Sequence, residues 1–226
     1  MSSSGARQVA EVVEKQRLFA IIRTFDPGKA LLAAEAAAEA GVKLVKITFT
    51  TPGALEVLEK LAGRGDILPG AGSVTTMREA VEAIDRGANF AVCPHTDRAI
   101  IDYCRDNDIY VAAGGLTPTE IMNAHLAGAD LVKVFPVSSV GGPSYIQHVL
   151  RPMPFLRLVA VGGLEEQQAA ACIEAGAAAV GAGFTMIPPA ALERGDYEAI
   201  RDSATRFLRA VRQAAEQLPQ PKEQKE

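Results

Sequence analysis

The sequence predicts an α/β fold, a (β/α)8 TIM barrel with an extra N-terminal helix. Two observations lead there. Eight short apolar, β-branched runs alternate with longer Ala/Leu/Glu-rich stretches along the chain, the pattern of a parallel sheet covered by helices. The runs also begin roughly every twenty-odd residues, and eight βα units is the count that closes a barrel. A doubly wound open sheet is the alternative, but it normally uses fewer strands and longer connections.

Residues 1–16 read as a helix capping the barrel bottom. Strands are expected at 18–23, 44–49, 67–72, 90–94, 110–115, 131–136, 156–163 and 178–183. Helices fill 27–40, 53–63, 76–87, 98–107, 117–127, 143–150 and 165–175, and a last one spans 196–217. Four tripeptides mark the same point of successive units: Ala40-Gly41-Val42, Arg86-Gly87-Ala88, Ala127-Gly128-Ala129 and Ala175-Gly176-Ala177. Glycine there supplies the left-handed residue that ends a helix, and the next residues begin a strand. Residues 1–218 therefore read as one barrel domain. The polar tail 219–226, with two prolines, reads as a disordered extension.

Composition removes several classes of function. The chain is 48% hydrophobic and 22% charged, as in ordinary globular proteins. A formal net charge of −4 gives no basic face for nucleic acid. No apolar run approaches the ~18 residues of a membrane span, and Met1-Ser2-Ser3-Ser4-Gly5 is not the start of a signal peptide. A cytoplasmic protein is expected. Cys93, Cys104 and Cys172 are odd in number and lack metal spacing, so they read as core residues. His95, His125 and His148 show no paired spacing either, and no metal or cofactor is expected. His125 and His148 belong to helix surfaces, while His95 follows a strand end from which it could reach a pocket. Glu198 and Asp202 of the last helix read as a solvated face.

Chemistry is concentrated in two lysines. Lys133 stands inside the apolar run Asp130-Leu131-Val132-Lys133-Val134-Phe135-Pro136, and Lys46 inside Leu44-Val45-Lys46-Ile47-Thr48-Phe49. Desolvation disfavours an ammonium, so a lysine held dry drifts toward the neutral amine, a nucleophile for carbonyl carbon. Strand parity turns Val132, Val134, Val45, Ile47 and Phe49 toward the helices. Lys133, Phe135, Lys46 and Thr48 then point into the barrel, where the C-terminal mouth holds the active site. The alternative for each lysine is snorkelling or pairing with a carboxylate; Asp66 and Asp130 lie at strand beginnings, the wrong end. Arg23 ends the first strand at the mouth and suits a carboxylate, or else faces solvent. Gly162-Gly163 and Gly181-Ala182-Gly183 close strands seven and eight, where bare backbone amides commonly bind an anion; tight turns explain such pairs equally well.

These residues resemble the 2-keto-3-deoxy-6-phosphogluconate (KDPG) and 4-hydroxy-2-oxoglutarate (KHG) aldolase family of class I aldolases. The resemblance runs from about Leu18 to Tyr197 and rests on Ile47-Thr48-Phe49-Thr50, Gly70-Ala71-Gly72-Ser73-Val74, Cys93-Pro94-His95, Leu116-Thr117-Pro118-Thr119-Glu120, Val132-Lys133-Val134-Phe135-Pro136, Gly162-Gly163 and Leu192-Glu193-Arg194-Gly195-Asp196-Tyr197. It implies a (β/α)8 barrel, a homotrimer, no cofactor, and cleavage of a 2-keto-4-hydroxy acid to pyruvate and an aldehyde. Lys133 matches the Schiff-base lysine, Phe135 the aromatic beside it, and Pro94 a pocket residue. Ser73 stands where the family has the threonine that holds the pyruvate carboxylate.

The chain also departs from that pattern. Lys46 occupies the position of the family's acid–base glutamate, and beside Lys133 it would help depress that amine's pKa. Thr50 stands where the family carries an arginine that grips a carboxylate. Val161 and Phe184 replace hydroxyl residues on the presumed phosphate side, and Ala113 replaces a proline. These changes leave two further functions open: a keto-acid decarboxylase using the same imine, or a non-catalytic barrel that binds an anionic metabolite or serves assembly.

Overall fold

The structure, a computed structural model, describes residues 5–218; the tail reading for 219–226 lies outside them. Eight parallel strands close a barrel in sequence order. They are β1 (Leu18–Ile22), β2 (Leu44–Thr48), β3 (Leu68–Gly72), β4 (Phe90–Val92), β5 (Tyr110–Gly114), β6 (Leu131–Val134), β7 (Leu158–Val161) and β8 (Ala179–Ala182). Pairing of Leu18 with Val180 and Ala20 with Ala182 closes the ring.

The helices are α1 (Gly5–Gln16), α2 (Pro27–Glu39), α3 (Ala54–Ala62), α4 (Met77–Asp85), α5 (Arg98–Asp106), α6 (Pro118–Leu126), α7 (Pro143–Leu150), α8 (Glu166–Glu174), α9 (Pro189–Arg194) and α10 (Tyr197–Glu216). Local sequence starts several of them. Asp26, Asp97 and Asp196 accept backbone N–H groups at the first turns of α2, α5 and α10. Thr76 with Glu79 and Thr117 with Glu120 form reciprocal capping boxes, each satisfying two otherwise orphaned donors. Gly41, Gly87, Gly128 and Gly176 have φ between 83° and 101°, the left-handed geometry expected after α2, α4, α6 and α8. The short α9 and a 3-10 turn, Val137–Val140, are additions to the sequence reading.

Two apolar layers separate cleanly. Val45, Ile47, Val132 and Val134 belong to the outer layer between strands and helices. Phe19, Leu44, Leu68, Phe90, Tyr110, Leu131 and Val159 fill the barrel interior, and Val9 and Val13 of α1 pack against that cluster. The N-terminal helix thus stoppers the bottom, anchored by Gln16, whose Nε2 donates to the Gly41 carbonyl at 2.8 Å while Oε1 accepts from the Lys43 amide at 2.9 Å. Phe19 and Phe90 meet edge to face, 5.3 Å between centroids. Cys93, Cys104 and Cys172 are all buried in the outer layer. Glu198 and Asp202 are exposed. Among the described residues, no helix is long and apolar enough to cross a membrane.

The interior has no room to spare at Gly70, where a Cβ would stand 2.4–2.5 Å from three ring carbons of Phe90. Gly70→Ala should therefore cost about 1–3 kcal/mol by overpacking, read as a lower urea midpoint at unchanged slope. An unchanged midpoint would show that the Phe90 ring moves aside freely.

Candidate active site

The C-terminal ends of the strands surround an open cleft of ≈ 820 Å³. Lys46 and Lys133 both line it, yet they are only 3% and 6% exposed. Gly72 of β3 vacates the space for the first lysine: a Cβ there would come within 2.6–2.9 Å of three carbons of the Lys46 stem. Nζ of Lys133 lies 4.7 Å from the centroid of the Phe135 ring, and that ring packs against Gly162. Among the described residues neither lysine has a hydrogen bond or ion pair to its Nζ. The acids that might have clasped them are elsewhere. Asp66 pairs with Arg64, and Asp130 accepts from the Val111 amide at 2.8 Å.

Burial first, then the charges of Lys133 and Arg23, hold the Lys46 amine well below its ordinary value. Burial and then Arg23 bring Lys133 down to about 8. Two ammonium ions in one dry space are unfavourable, so each charge favours loss of the proton on the other. The sequence assigns Lys46 the part of depressing Lys133. For Lys133 desolvation is the largest cause and the Arg23 charge the next, while the charge of Lys133 is itself among the causes that lower Lys46. The Phe135 ring face acts the other way, favouring the cation modestly.

Most sequence-selected residues converge on the cleft: Arg23, Ser73, Pro94, Phe135, Gly162, Gly163, Gly183 and Phe184 all line it. Arg23 is exposed and, among the described residues, makes no ion pair. Ser73 has φ 57°, a left-handed conformation that strains a non-glycine residue by about 1–3 kcal/mol and tends to mark functional sites. Thr48 and Thr50 do not reach the cleft. Thr48 shares the inward parity of Lys46, but its Oγ1 donates to the Ile22 carbonyl at 3.2 Å and contacts Thr50 and Thr51 hydroxyls at 3.0 and 3.3 Å. That hydroxyl is spent tying β1 to the loop after β2. His95 is exposed and stands off the cleft as well. Burial pushes the Cys93 thiol up to about 12, so it serves packing. Among the described residues no group of His, Cys, Asp and Glu is placed to hold a metal.

The cleft also contains residues the sequence did not single out. Phe25, Asp26 and Lys29 come from the loop after β1 and the start of α2; Ile187, Leu192 and Glu193 come from the region of α9. Phe25 was findable, since Ile21, Arg23 and Phe25 continue one alternating face past the strand. The α9 residues were not, because a six-residue helix is too short to show a period.

A family model described as KDPG and KHG aldolase matches residues 9–203. The 2-dehydro-3-deoxy-phosphogluconate aldolase of Treponema pallidum is 26% identical over 204 residues, 90% of this chain and 97% of that protein. The 2-dehydro-3-deoxy-6-phosphogalactonate aldolase of Escherichia coli is 32% identical over 206 residues, covering 89% and 98%. Among solved structures, the native KDPGal structure matches with a TM-score of 0.80 at 29% identity, over 88% of this chain and 96% of the other.

Only a free amine acylates, so trace labelling of Lys133 with acetic anhydride should rise through a midpoint near pH 8. Arg23→Gln removes a cation that favours deprotonation and should move that midpoint upward. A midpoint unmoved in the variant would remove Arg23 from the account.

Proposed function

The chain belongs to the KDPG and KHG aldolase family, and from that premise we propose that it cleaves a 2-keto-4-hydroxy acid through a Schiff base on Lys133. One observation carries the assignment of the nucleophile: the Lys133 amine is buried, without a carboxylate partner among the described residues, lowered to about 8 and open to the cleft.

Neutral Nζ of Lys133 adds to the C2 keto carbon, and loss of water gives an iminium. The C4 hydroxyl then surrenders its proton as the C3–C4 bond breaks. The bond pair flows to the imine nitrogen, leaving an enamine of pyruvate and releasing an aldehyde. Protonation of C3 and hydrolysis return pyruvate and the free amine. Arg23 and the Ser73 hydroxyl hold the keto-acid carboxylate, Pro94 and Phe135 flank the three-carbon unit, and Gly162, Gly163, Gly183 and Phe184 face the departing fragment. Lys46 as a free amine, together with water, carries the protons that a carboxylate would otherwise carry. A positioned acid–base is worth about 10²–10⁴-fold, so the substitution makes plain aldol cleavage slow by a comparable factor. Decarboxylation of a keto acid such as oxaloacetate is the second reading, favoured by Lys46 because it uses the same imine with less proton movement. The family resemblance extends the proposal to a homotrimer acting in the cytoplasm.

Borohydride reduction in the presence of pyruvate should add mass at Lys133, and Lys133→Met should abolish the adduct. Absence of any adduct in the unaltered protein would leave a binding or assembly role instead. Lys46→Glu should raise the rate of aldol cleavage about tenfold or more; a variant no faster, or one that no longer forms the imine, would overturn the account of Lys46.

A further inference from the structure

The mouth of the cleft carries large exposed aromatic rings beside its charged residues. Phe25 is 92% exposed and Phe184 63% exposed, and both rings line the cleft. Phe135 is also partly bare, while Ile187 and Leu192 form buried wall beside them. A folded chain leaves large aromatic rings uncovered in a concavity chiefly where a ligand covers them.

Charge at the same mouth runs against a distal phosphate. Asp26 and Glu193 both line it. The two cations beyond the strand-borne lysines, Lys29 and Arg23, only balance these two carboxylates in number; Lys29 keeps its charge while donating to the neutral backbone carbonyl of Glu193 at 3.2 Å. Arg23 lines the same cleft as Lys133 and, among the described residues, makes no ion pair, which leaves it for the carboxylate next to the keto carbon. Val161, ahead of Gly162, offers no hydroxyl. A phosphate dianion would therefore meet Ser138, backbone amides and a mouth in which Asp26 and Glu193 offset Lys29 and Arg23, with no excess of positive charge to hold it.

We infer that the departing aldehyde carries an uncharged apolar group, aryl or branched alkyl, so that the site takes 4-hydroxy-2-keto acids bearing such a group on C4. Phe25 and Phe184 receive that group, and Arg23 with the Ser73 hydroxyl answers the single carboxylate at the other end. The inference rests on the aldolase reading given above and narrows its substrate class. The bond changes are those of the retro-aldol step already described: the C4 hydroxyl proton leaves, C3–C4 breaks, and the apolar aldehyde departs with C4.

The test compares kcat/KM for 4-hydroxy-2-oxo-4-phenylbutanoate and for 2-keto-3-deoxy-6-phosphogluconate on the full chain. The phenyl acid should be preferred at least about tenfold, the scale of discrimination one apolar contact supplies. Phe184→Ser should reduce cleavage of the phenyl acid about tenfold and narrow the gap to the phosphorylated acid. Circular dichroism and the pyruvate–borohydride adduct confirm that the variant is folded and still forms an imine. A faster reaction with the phosphorylated acid, or a phenyl acid left uncleaved by protein that does form the pyruvate adduct, overturns the apolar pocket and leaves the aldolase standing. Failure to form the adduct at all would remove the aldolase reading itself, a result visible before either substrate is tried.

Discussion

The dry interior of a closed ring of strands is the constraint from which the rest of this molecule follows. Inward side chains of the lower layers, Phe19, Leu44, Phe90, Tyr110 and Leu131, pack into an apolar plug, and α1 seals it from beneath. Water can then reach the interior only from the C-terminal mouth. An amine at the next level up is desolvated on nearly every side, and the cost of keeping it charged appears as a lowered pKa. Lys46 and Lys133 occupy that level on β2 and β6.

Small residues make this arrangement possible. β3 contributes Gly70 and Gly72 to the interior, giving their space to the Phe90 ring and to the Lys46 stem respectively. The lysine stem consequently lies across the inner face of β3. The same economy of volume places Phe135 against Gly162, so the ring beside the Lys133 amine is steadied from β7. Packing and acid–base chemistry are here one problem, because the side chains that exclude water also lower the pKa of both amines.

The chemistry at the base of the cleft and the selectivity at its mouth come from different parts of the fold. Strands fix the lysines, and strands move little once the ring is closed. Loops and the short α9 supply Phe25, Asp26, Leu192 and Glu193. A barrel can thus keep a carbonyl-reactive amine while the preference for the other end of the substrate changes by exchange of a few loop residues. Val161 and Phe184 are the two departures from the family pattern that bear most directly on that end.

The sequence by itself determined the eight βα units, the helix ends at Gly41, Gly87, Gly128 and Gly176, and the inward parity of Lys46 and Lys133. Each is a local property: period-two alternation, a left-handed terminus, an apolar run interrupted by one charge. It also marked most of the residues that meet at the cleft. Tertiary structure alone decided that Thr48, though inward, spends its hydroxyl on the Ile22 carbonyl and neighbouring threonines. It decided that Arg23 stands near enough to Lys133 to add to the burial that depresses that amine, and that α9 lends its side chains to the mouth. The physical reason is that hydrogen-bond partners and the desolvation of a buried amine depend on distances between segments far apart in the chain, which no local pattern encodes.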